Sequence, residues 1–212
     1  MINLNLDLCK LFTGGVSLSE ASVRIALESI NKNIETPVFL EIGGGMSTKI
    51  FNDILRTNYK SYIFNCIENN KEYCYYDLPN VNYINYDLPR KFVDNHKDKD
   101  VFNYIDKVDL THLPKADFIS IDGPDGIARA RWYSKLGPVV KSGTIILIDD
   151  YDHYTEFGTE LNRNLGYSII TEFCNDSRFL PPDAIHAKNF GSRPIQNDDK
   201  HYNKTFKIVE VR

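Results

Sequence analysis

The stretch Phe39-Leu-Glu-Ile-Gly-Gly-Gly-Met-Ser47 decides how this chain folds. Pro37 to Ile42 is a short apolar strand that ends beside an acid, Glu41. Gly43-Gly44-Gly45 then breaks it, and three glycines let backbone amides approach a ligand without interference from a Cβ. Ser47 to Leu55 reads as a helix with Ile50, Ile54 and Leu55 inward. Its amino end adds the positive pole of a helix to the glycine turn.

A second pair of strings completes the pattern. Asp117-Phe-Ile-Ser-Ile-Asp-Gly123 and Gly143-Thr-Ile-Ile-Leu-Ile-Asp-Asp150 carry continuous apolar runs, Phe118 to Asp122 and Thr144 to Asp149. Such runs suit central strands covered on both faces. Between them, Ile127 to Val140 is expected to be a helical crossover. Ser61 to Glu68 and Val81 to Leu88 are β-rich runs that end at Glu68 and near Asp87. Tyr167 to Phe173 and Phe206 to Val211 make the last two strands. Strands alternating with helices predict an α/β, doubly wound, Rossmann-like sheet of seven strands, mostly parallel. The last two strands have no helical pattern between them, so they are expected to be antiparallel neighbours. Ligands in such sheets bind outside the carboxyl ends of the strands. The glycine turn and the strand-end acids should therefore meet in one crevice.

At 212 residues the chain fits one domain, 1–212. Ser17-Leu-Ser-Glu20 is a capping-box pattern, followed by Val23, Leu27 and Ile30 at helical spacing. It predicts a helix over about residues 18–31 within an N-terminal helical cap, 1–35. The long segment 174–205, with Pro181, Pro182, Gly191 and Pro194, reads either as a substrate lid or as disorder. Lys97 to Asp100 reads as a solvated surface turn.

Net charge is -4, which offers no overall basic field for a polyanion, so nucleic acid is not the expected partner. Cys9, Cys66, Cys74 and Cys174 show no C-x-x-C spacing, and a reduced, cytoplasmic setting is the simpler reading. Met1 to Phe12 makes a poor signal peptide. No apolar run reaches the roughly 18–20 residues that a membrane span needs. The acids and the glycine turn admit several ligands. A dinucleotide fingerprint would place a third glycine where Thr48 stands, which counts against NAD. Glu68 stands where nucleotide-binding sheets hold a ribose diol.

On these residues the chain resembles the class I S-adenosylmethionine-dependent methyltransferases over roughly residues 37–211. Glu41-Ile-Gly-Gly-Gly looks like that family's first motif. The resemblance implies Gly43, Gly44, Gly45, Ser47 and Asp122 around the cofactor and Glu41 near its methionyl amino group. It places Glu68 on the ribose hydroxyls, and Asp87 with Leu88 at the adenine edge. Carboxylates accept from an ammonium, a diol and an exocyclic amine, and a sulfonium favours an anionic surround.

Asp122 and Asp149-Asp150 stand at the ends of neighbouring predicted strands, and three hard oxygen ligands suit a divalent cation such as Mg²⁺ or Mn²⁺. They also read as helix caps and turn residues. Ile121-Asp-Gly123 and Ile148-Asp-Asp-Tyr151 are similar to the metal-dependent O-methyltransferases of the catechol and macrocin (sugar-modifying) types. The chain departs from the sugar group at Pro124, where that group carries an acid; Asp125 comes one position later. The resemblance implies O-methylation of a hydroxyl on a sugar, glycan or related small molecule. A divalent ion on Asp122, Asp149 and Asp150 would assist, with Asp125 or His153 as base and Asp122 at the reacting hydroxyl. Arg129, Arg131 and Trp132 read as packing and surface groups, Arg129 with the option of pairing an acid of the site. A metal-independent enzyme with an Asp or His base, or a non-catalytic nucleotide-binding domain, are the alternatives.

Overall fold

A computed structural model describes residue 18 and residues 20–30, 33–86, 105–124, 127–149, 166–174 and 205–212. Of the N-terminal cap, residues 1–17, 19, 31 and 32 lie outside these residues, as do the 97–100 turn and the 174–205 loop apart from Cys174 and Thr205. Helix α1 (Glu20–Ser29) is followed by β1 (Val38–Ile42), α2 (Met46–Asn58), β2 (Ile63–Glu68) and β3 (Val81–Asn85). Then come β4 (Phe118–Ile121), β5 (Ile145–Asp149), β6 (Tyr167–Cys174) and β7 (Thr205–Val211). They form one seven-stranded sheet of order β3-β2-β1-β4-β5-β7-β6. All strands from β1 to β5 pair in parallel, while β7 runs antiparallel to both β5 and β6. The order reverses at β1, whose neighbours are β2 and β4. That reversal opens a crevice at the carboxyl ends of these strands.

Alternation along the strands sends two sets of side chains to opposite faces. Phe39, Phe64, Phe118, Ile145 and Leu147 pack on one face beneath α1 and α2, with Val23, Leu27, Ile50, Phe51 and Ile54. Four phenylalanines form the centre of this layer. Phe39 and Phe118 have centroids 4.8 Å apart, and Phe51 meets Phe118 edge-on at 5.4 Å. The other face holds Leu40, Ile42, Ile119, Ile121, Ile146 and Ile148 against Trp132, Tyr133, Leu136 and Val139. The β4 and β5 runs are mainly apolar because both their faces are covered, as their sequence predicts; Ser120 is the polar residue within β4.

The crossover between β4 and β5 differs from expectation. It consists of 3-10 turns over Ile127–Ser134 and Gly137–Val139 rather than one α-helix across 127–140. A 3-10 coil rises about 2.0 Å per residue against about 1.5 Å, so a short segment reaches further back along the sheet. Pro138 also disfavours α geometry at Gly137.

Candidate active site

The triglycine turn is built by contacts that only glycine permits. Gly43 has φ +94, and a Cβ there would lie 2.5 Å from the Gly123 nitrogen. A Cβ on Gly44 would lie 2.9 Å from Cys66 Sγ, whereas one on Gly45 would meet no described atom within 4 Å. The turn is thus sealed on the β4 and β2 sides and open at Gly45. The Gly43 amide donates to Ile67 O at 2.9 Å, and the Asp122 amide donates to Ile42 O at 2.8 Å, which extends the ladder into both loops.

Both predicted acids of the first two strands sit at this turn and are buried. Glu41 Oε1 accepts from Ser47 Oγ, and Oε2 from Thr48 Oγ1, each at 2.6 Å. Thr48 Oγ1 accepts in turn from the Gly45 amide at 3.0 Å. Burial pushes the Glu41 carboxyl up to about 7, against the two hydroxyl hydrogen bonds, with the Glu68 charge adding to the rise. Thr48, whose significance in the sequence was only that it is not glycine, thereby joins Ser47 in tying helix α2 to the acid of β1. Burial also raises the Cys66 thiol, beside Glu41 on β2.

Glu68 is turned toward the backbone. Its Oε2 accepts from the Gly44 amide at 2.6 Å and its Oε1 from the Asn70 amide at 2.5 Å. Asn85 Nδ2, at the end of β3, donates to Glu68 O at 2.9 Å. Tyr86 follows, with its ring 5.6 Å from Trp132 in an edge-on contact. Burial pushes its phenol above the usual range. Asp87 and Leu88 lie outside the described residues.

At the tips of β4 and β5 the dominant group is a cation. Arg129 is 2% exposed. Its Nη2 donates to Asp122 O at 3.0 Å, its Nη1 to Asp149 O at 3.2 Å and its Nε to Pro124 O at 3.2 Å. Nη2 also lies 3.4 Å from Asp122 Oδ1. Arg129 is therefore buried at the acids of β4 and β5. Of the expected metal set, Asp122 and Asp149 are described and Asp149 is buried, while Asp150 lies outside the described residues. Among the described residues no three His, Cys, Asp or Glu side chains group to hold a metal ion. Asp125 and His153, the candidate bases, also lie outside them. No described helix is long and apolar enough to cross a membrane.

Neither a protein-family model nor a curated protein sequence matches the chain. Solved structures do. Precorrin-6y C5,15-methyltransferase from Geobacter metallireducens superposes with a TM-score of 0.53 at 14% identity, covering 92% of this chain and 89% of that one. Aeropyrum pernix fibrillarin, solved with natively bound S-adenosyl-L-methionine, gives 0.51 at 12% identity over 89% of this chain and 75% of that one. TrmN from Thermus thermophilus gives 0.50 at 12% identity, covering 98% of this chain and 52% of that one. With the strand order and the antiparallel β7, these likenesses identify the architecture: the chain has the seven-stranded, Rossmann-like methyltransferase fold.

Proposed function

We propose that this chain transfers a methyl group from S-adenosylmethionine to a hydroxyl of a small molecule or glycan, with a sugar as the favoured acceptor class. The observation that supports this most is the triglycine turn at the point where the sheet order reverses. It is closed against Gly123, open above Gly45, and flanked by Glu41 and Glu68. The residues present fit the cofactor. Gly45 leaves room for it, and a carboxylate such as that of Glu68 is a natural acceptor for a ribose hydroxyl. Asp87 and Leu88 would meet the adenine edge, and Glu41 the methionyl end.

S-adenosylmethionine supplies an electrophilic methyl carbon on a sulfonium. The chain's task is alignment, because an in-line displacement gains most from fixed geometry between acceptor oxygen and methyl carbon. Asp122 would orient the acceptor hydroxyl, and Asp125 or His153 would take its proton. Of the two forms of this chemistry, with and without a divalent ion on Asp122, Asp149 and Asp150, one contact favours the second. The Arg129 guanidinium already lies against Asp122.

Calorimetry with S-adenosylhomocysteine tests the cofactor half. Binding is expected, and its absence would overturn the proposal. Tritiated S-adenosylmethionine against panels of sugars, catechols and RNA tests the acceptor half. Transfer to sugars is expected, and transfer to RNA alone would replace the acceptor class.

A further inference from the structure

The side chain of Arg129 bridges the carboxyl ends of β4 and β5. Arg129 comes from the crossover beneath the sheet and reaches three backbone oxygens, those of Asp122, Pro124 and Asp149, besides the Asp122 carboxylate. A guanidinium keeps its charge when buried and presents five donors in one plane. All four of these acceptors are oxygens. Carbonyl and carboxylate oxygens are also the ligand types of a hard divalent ion; here they are spread around the three nitrogens of the fork. A lone ammonium has no planar fork with which to span three carbonyls.

The exposures of the two partners differ in a useful way. Arg129 is 2% exposed and the Asp122 side chain 17%. The cation is closed off from solvent, whereas the carboxylate it holds is partly open to it. Asp122 is also fixed from below, since its amide donates to Ile42 O, next to the Gly43 turn. One buried cation thus links the β4 loop to the β5 tip, while the Asp122 amide ties that loop to the end of β1.

We propose that Arg129 is the resident cation of these strand tips, taking the place a divalent ion would hold and positioning Asp122 toward the acceptor. This inference rests on the methyltransferase reading above. It makes Arg129 a positioning residue, and it makes the transfer independent of added metal.

The test uses the full chain, with Mn²⁺ and S-adenosylhomocysteine as probes. For the wild type, electron paramagnetic resonance should show only free Mn²⁺. The affinity for S-adenosylhomocysteine should change less than about twofold on adding EDTA. In R129M the oxygens lose their cation, so one equivalent of Mn²⁺ should bind, and R129M/D122N should lose it. A residue serving packing alone would not produce that signature. R129K, which keeps a charge, should bind no Mn²⁺. Stoichiometric Mn²⁺ on the wild type that D122N abolishes would overturn the inference. So would a folded R129M that binds S-adenosylhomocysteine but no Mn²⁺. Should R129M fail to fold, the wild-type and R129K arms decide. Loss of S-adenosylhomocysteine binding by the wild type would instead strike the cofactor reading.

Discussion

Gly43 and Gly123 stand back to back, each excluding a side chain on the other. A Cβ on Gly43 would lie 2.5 Å from the Gly123 nitrogen, and one on Gly123 would lie 2.5 Å from the Gly43 Cα. The opposing atoms are backbone, so no rotamer change relieves the contact. The loops after β1 and β4 can approach this closely only with glycine in both. Gly43→Ala adds the strain of a Cβ at φ +94. Each alanine variant should lose about 2–4 kcal/mol of stability, read from urea melts, with Gly43→Ala the more damaged. A loss below about 0.5 kcal/mol at either position would show that the loops are not packed this way.

The sheet was legible in the sequence because burial on both faces leaves a plain mark. β4 and β5 read as apolar runs, broken only by Ser120, and the acids at their ends were visible as the charged residues that close them. Two features were not legible. The crossover over 127–140 shows apolar residues at helical spacing, but its coil type depends on the distance it must cover. Arg129 read as a packing or surface group with the option of pairing an acid, and it does pair Asp122; nothing local says that its guanidinium will be buried against carbonyls contributed from residues 122, 124 and 149. Its only signal was the accumulation of acids at two neighbouring strand ends, which calls for a cation without saying which.

Glu68 holds the glycine turn from the side of β2. Its two oxygens take the Gly44 and Asn70 amides, and a buried amide left without an acceptor is costly. Glu68→Ala should lose about 3 kcal/mol, from two hydrogen bonds to a charged group. Glu68→Gln keeps one acceptor and should lose about half as much. S-adenosylhomocysteine affinity should fall in both variants. Stability unchanged in the alanine variant would mean that the carboxylate points outward, away from the turn.

Glu41 makes the fold sensitive to pH in a direction opposite to that of a salt-bridged acid. Its carboxyl is raised from 4.5 to about 7, so the folded state holds a proton that the unfolded state has released. The stability it contributes is fully present below the unfolded value and is lost as pH rises through about 7. The span amounts to about 3 kcal/mol. Between pH 5 and pH 8 the wild type should therefore lose about 2–3 kcal/mol more than Glu41→Gln, which cannot ionise. Urea midpoints at the two pH values measure this, and parallel losses in the two proteins would refute it.

Ser120 lies in the same row as Glu41, paired with it across β1 and β4, with Cys66 on the far side. Its Oγ is buried and makes no hydrogen bond among the described residues. Burying a hydroxyl without a partner costs about 1–3 kcal/mol. A serine retained at that cost beneath the Asp122 loop has the character of a group that serves a ligand. Ser120→Ala should therefore stabilise the ligand-free protein by about 1 kcal/mol. It should also weaken S-adenosylhomocysteine binding by roughly three- to tenfold, the worth of one hydrogen bond. The two readouts separate the cases. A gain in stability with unchanged affinity would make the hydroxyl a burden of the fold alone. A loss of stability would mean that Glu41, whose own oxygens are held by Ser47 and Thr48, also accepts a hydrogen bond from the Ser120 hydroxyl.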